Sequence, residues 1–123
     1  MTDPRSALAV NAAVHAAEVP LEHEAVPPAE VESGSPATAS IELVAEGGSR
    51  IGLWEITPGV VTDTEADEVF VVLSGRGRVE FLEGDEVAPR AALELVPGTV
   101  GRLAAGTRTR WTISETLRKV YIL

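Results

Sequence analysis

The stretch TDTEADEVFVVLSG, residues 62–75, decides the fold of this chain. Its second half, VFVVL (69–73), is apolar on both faces, which is typical of a central strand that is covered on both sides. The next residues, SGRG (74–77), predict a tight hairpin, because Gly75 and Gly77 can adopt positive φ. Glu68 opens the strand, and a carboxylate beside an apolar interior needs a partner or a proton.

Around this strand, the chain from Ile41 onward consists of short apolar runs that are broken by glycine or proline. Several runs have a period of two, as where Val79 and Phe81 alternate with their neighbours, so each has one dry and one wet side. Short strands at this spacing indicate a sandwich or a closed barrel. We therefore predict one all-β domain over residues 39–123.

Residues 1–38 differ from the rest in being rich in Ala, Glu, Pro and Ser. Pro20, Pro27, Pro28 and Pro36 each remove a backbone donor and restrict the residue before them. We predict a frayed helix over residues 6–18 and an extended segment over 19–38. Together they form an N-terminal arm (1–38) that is partly disordered or packed along the barrel.

Composition excludes several classes of function. The 123 residues suffice for one domain with a modest core. Because cysteine is absent, no disulfide, thiol nucleophile or cysteine-bound metal is possible, and a reducing cytoplasm is the expected compartment. A net charge of −9 argues against nucleic acid or an anionic membrane as partner. The N-terminus lacks the pattern of a secretory signal, and no stretch is apolar enough to cross a bilayer.

Two glycine-anchored motifs resemble those of the cupins. The first cupin motif ends in His-x-His, three or four residues, Glu, six residues and Gly; Glu68 and Gly75 fit the end of it, and a three-residue gap places Thr62 and Thr64 at the histidine positions. The second motif keeps its spacing from Gly98 onward, with Thr109 at the position of the third histidine. The resemblance implies a single cupin (jelly-roll) β-barrel.

A closer resemblance extends over roughly residues 40–123. The phrases GLWEITPG (52–59), DEVFVVLSG (67–75) and AAGTRTRWTISETLRKVYIL (104–123) are similar to small single-domain cupins that are grouped with the cupin domain of (S)-ureidoglycine aminohydrolase. The namesake is a manganese-dependent enzyme of purine catabolism. The resemblance thus implies, for an active member, C–N hydrolysis near a divalent metal.

The register of the cupin motifs predicts a ligand pocket. Thr62, Thr64, Glu68 and Thr109 would face into the barrel mouth, and Trp111 shares strand parity with Thr109. One carboxylate and three hydroxyls make a poor transition-metal site, so neither a metal nor another cofactor is predicted. Hydroxyls or an arginine are the expected partners of Glu68, which is also the candidate catalytic residue of any enzyme.

The other polar and aromatic residues have simpler interpretations. His15 and His23 are expected to be exposed in the arm, and Arg108 and Arg110 to lie outside the barrel, paired with the acidic surface. Phe70 and Tyr121 are assigned to the core.

Three functions remain open from the sequence. The first is a metal-free barrel that binds a small molecule through Glu68, the threonines and Trp111. The second is a hydrolase or other enzyme acting on a ureide or small amine with a non-standard metal site. The third is a structural module that pairs through its sheets and arm, and a homodimer is expected in any case.

Overall fold

The computed structural model describes residues 7–84, 86–89 and 92–123, and it is almost entirely β-structure. The strands are β1 (Glu24–Ala25), β2 (Val31–Ser33), β3 (Ala37–Glu46), β4 (Ser49–Ile56), β5 (Gly59–Thr64), β6 (Glu68–Glu83), β7 (Glu86–Val87), β8 (Leu93–Leu95), β9 (Val100–Leu103) and β10 (Arg108–Ile122). Single 3₁₀ turns form at Ala16–Glu18 and Pro28–Glu30. Within the described residues, no helix is long and apolar enough to cross a membrane.

Two long strands, β6 and β10, organise a curled antiparallel sheet. The first half of β10 pairs with β5 and its second half with β4, while β6 lies alongside both halves. On its other side β6 pairs with β7, β8 and β9, and β3 continues the sheet beyond β4. This architecture confirms the prediction of a single all-β barrel of the jelly-roll type.

The inside of the curled sheet is a single apolar core. Phe70, Leu117 and Val79 are fully buried at its centre, and Trp111 is 2% exposed. These residues alternate with outward-facing ones along β6 and β10, because successive side chains of a strand point to opposite faces. Phe70 belongs to the core as predicted, and VFVVL lies in a strand with neighbours on both sides.

The hairpin predicted at SGRG is wrong, because β6 continues through it from Glu68 to Glu83. Gly75 has φ +89°, and a Cβ built there would lie 2.1 Å from the carbonyl oxygen of Thr116 on β10. The ladder between the two strands shifts register in this region. The glycine thus permits a close approach of two backbones at a bend within one strand.

The N-terminal arm lies against the sheet. The predicted helix over 6–18 is wrong where the structure describes it, since only Ala16–Glu18 forms a 3₁₀ turn; residues 1–6 lie outside the described part. Two short arm strands add to the sheet, β1 beside β3 and β2 beside β5. The proline-rich sequence allows short pairings of this kind and prevents a longer element.

Candidate functional site

A cavity of about 330 Å³ lies where β5 ends, β6 begins and β10 ends. We call it the Glu68 cavity. Its walls combine acidic, aromatic and small side chains with a single described cation. The lining residues are Ser40, Trp54, Asp63, Thr64, Glu65, Ala66, Glu68, Trp111, Lys119, Tyr121 and Leu123.

Glu68 is paired with a lysine. The Nζ atom of Lys119 donates a hydrogen bond of 2.5 Å to Oε1 of Glu68. Lys119 is 4% exposed, and its ammonium lies 4.7–4.9 Å from the ring centroids of Trp54, Trp111 and Phe70. The rings and the carboxylate both stabilise positive charge, which offsets the cost of burying the ammonium.

Strand pairing places this lysine among the rings. Lys119 is directly opposite Trp54 on β4 and Val72 on β6, so all three share the inner face of the sheet. Trp54 and Trp111 meet edge to face, with centroids 5.6 Å apart and planes at 61°. The aromatic wall of the cavity is therefore fixed by packing.

A second carboxylate of the cavity lining, Glu65, is buried. Oε2 of Glu65 accepts hydrogen bonds from the Thr109 hydroxyl at 2.5 Å and from the Trp111 indole at 2.9 Å. Two backbone hydrogen bonds hold the loop between β5 and β6 in place, one from Glu65 N–H to the Thr107 carbonyl and one from Gly106 N–H to the Glu65 carbonyl. The Thr109 hydroxyl therefore donates to Glu65, whereas the sequence predicted that it would donate to Glu68.

The side chains of β5 that face the cavity are the alternate set to the one predicted. Asp63 lies opposite Thr109 in the ladder with β10, whereas Thr62 lies opposite Arg110, on the outer face. Thr62 is absent from the described lining of the cavity, and Thr64 reaches only its exposed rim. The predicted inward orientation of Thr62 is therefore wrong, and Asp63 takes the inner position.

Asp63 has an unusual acidity. Burial, together with the nearby charge of Glu65, raises the pKa of Asp63 to about 6, although the Thr64 N–H bond lowers it. Burial likewise raises the pKa of the Tyr121 phenol above its ordinary value. The cavity therefore gains a negative charge as the pH rises through about 6.

These side chains suit a transition metal poorly. Among the described residues, no group of three or more His, Asp or Glu side chains is arranged to hold a metal ion. Imidazole donors are absent from the cavity lining, and the carboxylate of Glu68 already binds an ammonium. Carboxylates alone suit hard cations, and a lysine ammonium among them competes with any such ion.

Of the five residues predicted for the pocket, Thr64, Glu68 and Trp111 line the cavity, and Thr109 lies immediately behind it. Asp63, Glu65 and Lys119 also line the cavity and were not predicted from the sequence. Lys119 shares odd numbering with Trp111 on one strand, but register shifts between Ile113 and Lys119 make parity an uncertain guide there.

The opposite face of β10 attaches the arm. Arg118 donates to Oε1 of Glu55 at 2.9 Å and to the carbonyls of Ala16 and Val19 at 2.8 and 2.7 Å. Oε2 of Glu55 lies 2.6 Å from Nε2 of His23. Arg118 is buried, unlike Arg108 and Arg110. Arg110 forms a surface pair with an acidic residue, Glu32, as predicted.

A larger cleft of about 550 Å³ lies between the arm and β3 and shares Ser40 and Trp54 with the Glu68 cavity. Its charged lining consists of Glu22 and Glu24, both exposed. Binding pockets combine apolar and aromatic walls with a few converging polar groups, and among the described lining residues only those of the Glu68 cavity include buried charged groups, Glu65 and Lys119. The Glu68 cavity is therefore the candidate site.

Comparison with known proteins places the chain in one family. Residues 43–121 match the model of the EutQ-like cupin domain. A search of the curated proteins gives no match.

Solved structures show the same fold. A protein of unknown function from Rhizobium leguminosarum bv. viciae is 24% identical, with a TM-score of 0.57 over 69% of this chain and 78% of that one. One from Pseudomonas syringae pv. tomato is 23% identical, with a TM-score of 0.67 over 85% of this chain but only 44% of that protein. A putative ethanolamine utilization protein from Salmonella typhimurium is 16% identical, with a TM-score of 0.57 over 84% and 94%. At these identities the likeness shows the fold alone.

Proposed function

Since this chain belongs to the family of EutQ-like cupin domains, we propose that it is a metal-free barrel that binds a small molecule carrying an amino group in the Glu68 cavity. Charge carries the proposal. The lining includes three carboxylates, those of Asp63, Glu65 and Glu68, and one described cation, Lys119. Three negative charges against one positive leave a net charge of −2 when all four groups are ionised, which favours a cationic ligand.

Hydrogen bonding supports the same ligand class. Among the described residues, Glu68 accepts from Lys119 through Oε1, so its Oε2 is available to a ligand N–H. Asp63 stands at the rim, where an entering ammonium would meet it first. Trp54, Trp111 and Tyr121 offer apolar surface for the rest of the molecule, and about 330 Å³ suits a ligand of few heavy atoms.

Thermal unfolding with matched small molecules tests this function. We expect butylamine to raise the melting temperature, whereas butyrate and butanol do not, because only the first is a cation. A ligand at 100 times its Kd stabilises the folded state by about 2.7 kcal/mol. The stabilisation by butylamine should grow as the pH rises through about 6, where Asp63 ionises.

Asp63→Asn is the matched control. This variant should bind butylamine more weakly and lose the pH dependence near 6. Equal effects of the amine, the acid and the alcohol on the wild-type protein would contradict the proposal.

The sequence also suggested a hydrolase acting on a ureide or small amine with a non-standard metal site, as its resemblance to the ureidoglycine aminohydrolase group implies. The comparisons support the cupin class and do not reach this activity. Elemental analysis of untagged protein and of Glu68→Gln separates the two functions. We expect only trace metal in both; stoichiometric metal that Glu68→Gln loses would contradict the metal-free site.

We also propose that the chain forms a homodimer, as its sequence suggested. Exposed apolar side chains are available to such an interface, among them Val100, 67% exposed, on β9. Sedimentation equilibrium should give twice the mass of the 12.9 kDa chain; a monomer mass would contradict the proposal and with it the third alternative, a pairing module. A cytoplasmic location stays a prediction.

A further inference from the structure

The chain contains one lysine among its 123 residues, and that lysine, Lys119, lies in the Glu68 cavity. Its other nine basic side chains of the Lys and Arg type are arginines. Lysine is normally a surface residue that is seldom fully buried. Here the one side-chain amine of the protein is 4% exposed and lines a cavity that a small molecule can enter.

The surroundings of Lys119 suit a cationic nitrogen that keeps one N–H bond to Glu68. A lysine ammonium carries three N–H donors. Among the described residues, Nζ of Lys119 makes one hydrogen bond, to Glu68. The rings of Trp54, Phe70 and Trp111 also lie near Nζ and stabilise its positive charge.

We propose that Lys119 captures a small aldehyde as a protonated imine. Such an imine carries one N–H, which Glu68 would accept, and its positive charge remains among the same three rings. Its new carbon substituent takes the place of two N–H donors and extends into the cavity. This inference goes beyond the proposed amine binding, because its ligand is an aldehyde, and it rests on the same cavity.

Glu68 provides the proton transfers that the reaction needs. Lys119 gives one proton to the Glu68 carboxylate and becomes a free amine. The amine nitrogen forms a bond to the aldehyde carbon, the C=O electron pair moves onto oxygen, and a proton of the nitrogen passes to that oxygen. Glu68 then protonates the hydroxyl, the C–O bond breaks, and water leaves as the C=N bond forms. One ammonium and one aldehyde thus give one protonated imine and one water.

The charge of the cavity defines the class of aldehyde. Asp63, Glu65 and Glu68 surround the approach to Lys119, so a carboxylate on the substrate is repelled. The expected substrates are short, uncharged or positively charged aldehydes rather than oxo acids.

Reductive trapping tests the proposal on the full chain. The protein is treated with butyraldehyde and sodium cyanoborohydride at neutral pH, and the modified peptide is found by mass spectrometry. Arg108→Lys supplies an internal reference, because position 108 is exposed on the same strand. We expect butylation of Lys119 at least about tenfold faster than that of the introduced lysine, a modest part of the ~10²-fold that a positioned base can provide.

Succinic semialdehyde, which has a carboxylate in place of the terminal methyl group of butyraldehyde, should react with Lys119 more slowly than butyraldehyde. Reaction of Lys119 at or below the rate of the introduced lysine, or an equal rate with both aldehydes, would overturn the proposal. Stabilisation by butylamine without preferential trapping would leave the binding function in place and reject imine formation. Preferential trapping without stabilisation by butylamine would support imine formation and reject the amine-binding function.

Discussion

At the scale of single residues, Asp63 controls the charge of the cavity. Its pKa of about 6 exceeds the ordinary value of 3.8, so the folded protein holds this proton more tightly than the unfolded chain does. The stabilisation that follows is complete below pH 3.8 and is lost as the pH rises through about 6. Above that pH the folded state carries an ionised Asp63 close to the negative charge of Glu65.

Replacing Asp63 by Asn should therefore stabilise the protein at high pH only. The two proteins should have similar stability near pH 3.8, and above pH 6 the variant should be more stable by about 1 kcal/mol. This value is reduced because solvent at the rim screens the charge of Asp63. Chemical denaturation of both proteins, at pH values from about 3.8 to above 6, measures the difference in the free energy of unfolding. A difference that does not change with pH would contradict the assigned pKa.

At the scale of strands, Gly75 explains how β6 bends without ending. Its φ of +89° is unfavourable for other residues, and Thr116 leaves no room for a Cβ. Gly75→Ala should therefore destabilise the protein by about 3 kcal/mol, combining backbone strain with a steric clash.

Gly84→Ala is the matched control for Gly75→Ala. Gly84 has φ +65° and nothing within 4 Å of a built Cβ, so the loss there should be about 1 kcal/mol from strain alone. Urea unfolding of the two variants measures both losses. Equal losses would show that the contact with Thr116 is unimportant.

The same strands show what the sequence could predict. Alternation and glycine punctuation are local signals, so the all-β barrel, the central position of VFVVL and the inward face of Thr109 and Trp111 were predictable. Which side chains of β5 face inward was not predictable, because alternation along a strand gives two sets of residues without showing which set is inside. Only the ladder with β10, which pairs Asp63 with Thr109, decides this. A glycine suited to a turn and one suited to a bend also look alike in sequence, which is why SGRG was misinterpreted.

The partner of Glu68 could not be predicted for a related reason. Lys119 is separated from Glu68 by 51 positions along the chain, and only the pairing of β10 with both β4 and β6 brings it into the cavity. Long-range register is what distinguishes a buried lysine from a surface one.

At the scale of the whole molecule, β10 connects the site to the arm. Lys119 faces the cavity while its neighbour Arg118 holds the arm on the outer face, through Glu55 and the carbonyls of Ala16 and Val19. A planar guanidinium can donate to several acceptors at once, and a lysine ammonium cannot copy that geometry. Arg118 is therefore the residue that should decide how firmly the arm is attached.

Arg118→Lys should release the arm while the barrel stays folded. Loss of the two carbonyl bonds, at about 1 kcal/mol each and partly replaced by the new ammonium, should raise the open population about tenfold. Cleavage after the exposed Glu18 by a glutamate-specific protease reports that population when opening and closing are fast. Arg76→Lys, which alters an exposed pair with Glu115 on the barrel, is the control and should leave cleavage unchanged. Equal cleavage in wild type and Arg118→Lys would mean that the paired strands β1 and β2 hold the arm without Arg118.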